Sequence, residues 1–252
     1  MTQLSNHLVF NTIAELIEAL DNAPIIRGRD DSSQDYDNGS WVDTKTYEEA
    51  REKMLYGHVY EDIEKEVEKM KAVASAYKRR QHMSVAGFQV NVPLYLQGVP
   101  TSMITQSRVL NNKIVTLIYN AAVPHSVSSS SIMETTKELF RKIMSLESEG
   151  YRCNVWVTTV HNEGKWGTAL RLKTDREVLN VRKMMFPLVS SSFNRRIGFK
   201  IREVLYEDWI GFGYGSPCYD KESNHKFITK SIGVTRYEMW NHSGLVYEAK
   251  GE

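Results

Sequence analysis

Apolar and polar residues recur along this 252-residue chain with periods that change, and the changes predict its elements. Ile13, Leu16, Ile17 and Leu20 stand at helical spacing over Phe10–Leu20, with Asn11 or Thr12 placed to cap the first turn. Residues 21–44 carry Pro24, Gly28, Gly39 and several Asp and Ser, the composition of a loop, from which Trp41 is expected to dock on the core. A long helix is predicted from Thr46, where Thr46-Tyr47-Glu48-Glu49 fits a capping box, and Gly57 is where it would kink or divide. From Val59 to about Arg80 the pattern is charged. A narrow stripe of Ile63, Val67, Met70 and Val73 fits a helix packed on one side or against a partner helix. Glu61 and Lys65 sit at i,i+4 pairing distance.

Residues 81–112 are broken by Gly87, Pro93, Gly98 and Pro100. They are too rich in Val85, Phe88, Val90, Val92, Leu94, Tyr95 and Leu96 for disorder, so an ordered irregular segment is expected. Lys113–Asn120 then reads as a strand covered on both faces. A second capping box, Ser131-Ile132-Met133-Glu134, predicts a helix ended by Gly150. Cys153–Val160 and Gly167–Leu172 read as strands joined by a turn at His161–Lys165. A third box, Thr174-Asp175-Arg176-Glu177, predicts a helix ending before Pro187, and one more helix is expected from about Ser192 to Tyr206. Strand, helix, strand is a βαβ unit, which predicts an α/β sheet.

That order over residues 113–186 resembles a von Willebrand factor A-like domain. The resemblance implies a metal site in the turn after the first core strand. Here Asn120 stands where that family has Asp, and Ala122 and Pro124 replace its serines, so the implied site is degenerate. A second resemblance is carried by Ser40-Trp41-x-x-Thr44-x-Thr46-Tyr47-Glu48-Glu49-Ala50. It continues in Val85-x-Gly87-x-x-Val90-x-Val92-Pro93-x-x-Leu96-x-Gly98-x-Pro100-x-Ser102-Met103-Ile104. Together these resemble a family of uncharacterised phage and prophage proteins over roughly residues 40–205. That likeness implies a phage or mobile-element origin and transfers no activity.

Composition changes this picture little until charge is divided along the chain. Hydrophobic residues make up 41% and charged residues 25%, ordinary for a globular protein, and no apolar run approaches a membrane span. No secretory leader is evident, and Cys153 and Cys218 cannot form a disulfide framework, so a reducing compartment is expected: host cytoplasm, or a virion. The net charge of +1 hides an asymmetry. Residues 1–70 hold 7 Lys and Arg against 16 Asp and Glu, a net of −9, and residues 71–252 hold 25 against 15, a net of +10.

The excess is concentrated at residues 171–202, where nine cations face Asp175 and Glu177. Arg171, Lys173, Arg182, Lys183, Arg195, Arg196, Lys200 and Arg202 are the candidate nucleic-acid-binding residues, with Lys78-Arg79-Arg80 a second cluster. The competing reading pairs this face internally, the acidic N-terminal region lying across it. Gly211-x-Gly213-x-Gly215-Ser216-Pro217 lacks the Lys-Ser/Thr of a phosphate loop and reads as a turn. Cys218 with His225 or His242 is a candidate thiol–imidazole pair that no spacing selects. The histidines (His7, His58, His82, His125, His161, His225, His242) lack zinc-ligand spacing, so no metal or cofactor is expected.

The expected architecture is therefore a von Willebrand A-like or related three-layer core at 113–206. It is preceded by an acidic helical arm at 1–80 and an ordered segment at 81–112, and followed by an irregular aromatic-rich tail at 207–252. The expected function is a non-enzymatic phage accessory protein that binds DNA or RNA through the basic face. The alternatives are a protein–protein or virion assembly component, binding phage or host proteins or itself, and an enzyme using Cys218 or the Asn120–Ser131 turn. No membrane partner is expected.

Overall fold

Why each element forms is legible in the computed structural model, which describes residues 6–24, 42–74, 79–108, 113–161, 164–206 and 217–251. Trp41 and the glycine-rich Gly211–Ser216 stretch lie outside them. Strand β1 (His7–Phe10) precedes α1 (Ile13–Asp21), whose cap is Thr12: its hydroxyl accepts the Glu15 amide at 3.0 Å. The Thr46 hydroxyl likewise accepts the Glu49 amide at 3.2 Å and opens α2 (Tyr47–Tyr56). The Glu49 carboxylate takes the amide of Lys45 at 2.8 Å, one residue before the cap. Gly57 divides the predicted long helix: its φ of 78° is left-handed, and α3 (Glu61–Ala74) starts afresh beyond it. Ile63 and Val67 on α3 are buried, and Lys65 bonds Glu61 at 3.2 Å.

The segment expected to be irregular is a small sheet. Strands β2 (Arg79–Ser84), β3 (Gln89–Val90) and β4 (Met103–Arg108) pair antiparallel in the order β2-β4-β3, with a short helix α4 (Val92–Leu96) between β3 and β4. Glycines and prolines obscured the strand periodicity there. Gly87 is required by close approach, because a Cβ at that position would lie 2.2 Å from the Ile104 carbonyl oxygen.

The apolar run at 114–120 becomes central strand β5 (Ile114–Asn120). Helix α5 (Ser129–Ser148) starts earlier than its predicted box, since the Ser128 hydroxyl accepts the Ser131 amide at 3.2 Å. Glu134 instead pairs with Lys137 at 2.7 Å. β6 (Arg152–His161) and β7 (Trp166–Lys173) form the expected hairpin. The box at Thr174 closes a turn rather than opening a helix: the Thr174 amide donates to Glu177 Oε2 at 2.7 Å. Helix α6 (Val181–Val189) begins after Asn180 and contains Pro187, which the sequence reading placed beyond it. Pro187 sits in the last turn, so the amide it lacks leaves the Lys183 carbonyl without its intrahelical donor just before the helix ends. The last predicted helix divides into a π-helical turn at Phe193–Gly198 and α7 (Phe199–Val204).

The C-terminal region is no irregular tail. It forms α8 (Lys221–Phe227), a π-helical turn (Ile228–Ile232), and strands β8 (Arg236–Asn241) and β9 (Gly244–Lys250). β8 lies parallel to β5, so this stretch completes the sheet rather than coating it. The N-terminal region joins it too, through β1 parallel to β7. The result is a mixed α/β fold with a six-stranded mixed sheet in the order β1-β7-β6-β5-β8-β9. Alternation puts Leu117 and Tyr119 against the helices α1 to α3 and α5 to α7, and Ile118 with Trp156 and Met239 against Phe227 and Ile228 on the other face. Each such fully buried side chain contributes roughly 1.5–3 kcal/mol. Among the described residues the 79–108 sheet stands apart, pairing with no strand of the larger one.

Candidate functional site

The eight candidate cations do not share one solvent face. Arg202 is 0% exposed and Lys173 2%, and Arg196 is also buried. Lys173 is satisfied internally: its Nζ pairs with Glu147 at 2.7 Å and donates to the carbonyls of Cys153 at 3.1 Å and Thr174 at 3.0 Å. Arg202 donates to Asn194 Oδ1 at 2.9 Å and meets His161 Nε2. Arg196 donates twice to the Thr44 carbonyl, at 3.1 and 3.3 Å, tying α7's approach to the start of α2. Arg195 is half-buried over the Phe199 ring at 5.3 Å, and desolvation lowers its pKa. The expectation of a basic face is corrected at two positions: Arg196 in the π-helical turn and Arg202 on α7 are both buried. Arg171 lies over Trp156 at 5.2 Å and donates to Asn11, and Arg182 is exposed beside Glu64 at 3.1 Å. Lys183 is exposed and Lys200 half-exposed. Internal pairing thus claims much of this cluster, and acidic-region residues Thr44 and Glu64 supply part of it.

Asp43 is the counterpart on the acidic side. Its carboxylate accepts hydroxyls from Ser190, from Ser192 at 2.5 Å and from Tyr60, with Lys53 3.9 Å away. Burial alone would raise its pKa, but the Ser190, Ser192 and Tyr60 hydrogen bonds and the Lys53 charge outweigh burial and lower it.

A crevice of about 90 Å³ opens at the carboxyl ends of β5 and β8, where the sheet's strand order reverses. Asn120, Cys218, Asn224 and His242 line it. The Asn120 side chain accepts the Ala122 amide at 3.0 Å, closing the turn on itself. Among the described residues no group of three or more His, Cys, Asp or Glu could hold a metal. Cys218 is buried, and its Sγ lies 3.8 Å from the Asp220 carbonyl. His225 is engaged with the Tyr237 hydroxyl at 2.7 Å, and burial lowers the pKa of His242. Cys153 is core: burial pushes its thiol up to about 12.

Among the described residues, six of the eleven exposed large apolar side chains belong to the 79–108 arm. Leu96 is 78% exposed, Val85 71% and Tyr95 65%, with Phe88 and Val92 also open. The arm contains no Asp or Glu and carries Arg79, Arg80 and Arg108, which fall at the paired open ends of β2 and β4. Sequence reasoning recorded these apolar residues and missed their exposure, because it lacked the strand register that would separate faces. A second feature, a groove of about 390 Å³ between α3 and the start of α6, has buried Val67 and Met185 in its lining, with Val178, Glu68 and the Glu64–Arg182 pair beside them.

A mixed α/β protein with an apolar arm is the class that these observations define. Residues 4–249 match the family described as Domain of unknown function (DUF7192), and the chain belongs to that family. Comparisons with curated proteins and with solved structures find no match.

Proposed function

We propose that this is a non-enzymatic binding protein of phage or mobile-element origin that docks on a protein partner through the 79–108 arm. The observation that carries the reading is the exposure of Val85, Phe88, Val92, Tyr95 and Leu96 on a small sheet separate from the main one. Several large apolar side chains left exposed on one small unit are a mark of interaction sites. The residues carrying the likeness to phage proteins, Val85 to Ile104, fall on this arm. The order β5, α5, β6, β7, α6 supports a von Willebrand A-like reading of the core, its turn closed by Asn120 rather than built for a metal. Action in host cytoplasm or in a virion belongs to the same proposal.

Nucleic acid is the second reading, because the arm joins arginines to exposed Phe88 and Tyr95 and holds no acid. A photo-crosslinking residue at Leu96 tests both in the producing cell. The expected result is a protein adduct that survives nuclease and disappears with Phe88→Asp on the same arm. A nuclease-sensitive adduct, with salt-dependent retention of labelled DNA or RNA lost in Arg79→Ala/Arg80→Ala, would replace the protein reading.

A further inference from the structure

The crevice at the carboxyl ends of β5 and β8 is lined by polar side chains whose remaining hydrogen-bonding capacity follows from the bonds they already make. Asn120 and Asn241 each commit the side-chain carbonyl to a backbone amide, that of Ala122 at 3.0 Å and that of Ser243 at 2.7 Å. Each therefore has its amide nitrogen to offer as a donor. Asn224 is oriented the other way. Its amide nitrogen donates to the carbonyls of Cys218 at 3.0 Å and Asp220 at 2.8 Å. Its Oδ1 is buried with no hydrogen-bond partner, in a residue only 5% exposed. His242 Nδ1 is likewise buried without a partner, and burial keeps that ring neutral at neutral pH. Buried polar atoms of this kind call for a partner that the chain itself does not supply. Lys221 brings a positive charge to the crevice, 6.0 Å from the Tyr247 ring, and among the described residues no Asp or Glu lines it.

We propose that this crevice binds a small hydroxycarboxylate, its carboxylate held by the Asn120 and Asn241 amides and the Lys221 ammonium, its hydroxyl donating to Asn224 Oδ1. Three properties of the crevice select that class. Its volume of about 90 Å³ lies well below the roughly 300–1,000 Å³ of pockets for drug-sized ligands, so the ligand is small. Its donors and its cation favour an anion, and a carboxylate accepts from several donors at once. Its orphaned acceptor requires a ligand that also carries a donor, and a hydroxyl meets one acceptor with one proton. An ammonium group would bring three donors and a charge that Lys221 repels. Met239 and Val246 give the carbon body an apolar wall. The place is the one where α/β sheets collect ligands, beyond the carboxyl ends of strands at a reversal of strand order. The site is separate from the 79–108 arm and does not depend on what the arm binds.

The test is an amide-shift titration of the full chain by NMR with lactate as the probe. Propionate, which lacks the hydroxyl, and alanine, which has an ammonium in its place, are run beside it. Lactate is expected to shift the amides of Ala122 and Ser243 and to saturate. Propionate and alanine are each expected to bind about tenfold or more weakly, because a site built around a hydroxyl discriminates against ligands that lack it. Lys221 is exposed, so Lys221→Gln is expected to keep the wild-type melting temperature and to weaken lactate about tenfold, with Lys221→Arg restoring it. No saturable shift with millimolar lactate overturns the proposal, as does a shift confined to residues away from the crevice. Propionate or alanine binding as tightly as lactate overturns it too, since the hydroxyl would then not be read. So does a folded Lys221→Gln chain that binds lactate as wild type does.

Discussion

At the scale of single residues, burial decides which charges hold the fold and which are free to meet a partner. Lys173 has an acceptor for each of its three donors, the Glu147 carboxylate and two carbonyls. Its removal leaves Glu147 and those carbonyls without their cation. Lys173→Ala is therefore expected to lower unfolding free energy by about 2–4 kcal/mol in urea titration. Arg202→Ala should act in the same direction, since it opens a buried space beside Asn194 and His161. Unchanged stability in both would contradict their placement in the core. Asp43 makes the pH prediction. Its folded pKa lies below the ordinary carboxylate value of 3.8, so its contribution is complete above that value and is lost as pH falls through the lower folded one. Melting temperature should drop on acidification below about pH 4, and Asp43→Asn should melt lower at neutral pH with a shallower acid slope. A parallel acid profile for the variant would remove Asp43 from the account.

At the scale of elements, local signals were legible where one residue type does one job. Thr12 and Thr46 cap helices because a hydroxyl at the N-cap answers an orphan amide whatever the tertiary context. Gly57 broke the predicted long helix because φ is positive there. A Cβ at Gly57 would also lie 3.0 Å from the Arg182 carbonyl oxygen, so Gly57→Ala is expected to cost about 1 kcal/mol or more in denaturant unfolding. The boxes at Thr174 and Ser131 misled because the motif says only that a hydroxyl and a carboxylate stand three apart. Glu177 used its carboxylate to close a turn, and Ser128 offered an earlier cap. The arm went unread because Gly87, Pro93, Gly98 and Pro100 interrupt a strand period that pairing restores. Gly87→Ala should disturb the arm alone: its Cβ would strike the Ile104 carbonyl, while the six-stranded sheet lies elsewhere. The expected outcome is an altered amide exchange pattern over residues 84–104 with the main unfolding transition preserved. Loss of that transition would show that the arm is part of the core.

At the scale of the whole molecule, non-local pairing rearranged what sequence order had separated. The N-terminal helical region and the C-terminal tail looked like attachments to a central α/β unit, and each contributes strands to its sheet. No local pattern places β8 beside β5 across more than a hundred residues, because parallel pairing leaves no turn signal between partners. Removing residues 217–252 strips two strands from the sheet and uncovers Ile118 and Trp156. That truncation is expected to abolish cooperative thermal unfolding, and a sharp melt in the truncated chain would contradict it. The charge asymmetry changes meaning at the same scale. Thr44, Glu64 and Asp43 of the acidic region engage Arg196, Arg182 and the Ser190–Ser192 junction. Much of the basic stretch is thereby structural, and the arm combines exposed apolar side chains with a sequence that holds no acid.

The most direct measurement is protein capture by a photo-crosslinking residue at Leu96, read together with the thermal unfolding of the same preparation, for Phe88→Asp against the unsubstituted arm. The account predicts an unchanged melt together with loss of the protein adduct, because Phe88 is exposed on the arm. A Phe88→Asp chain that melts well below its reference, or captures the same protein, would contradict the claim that the arm is the binding surface.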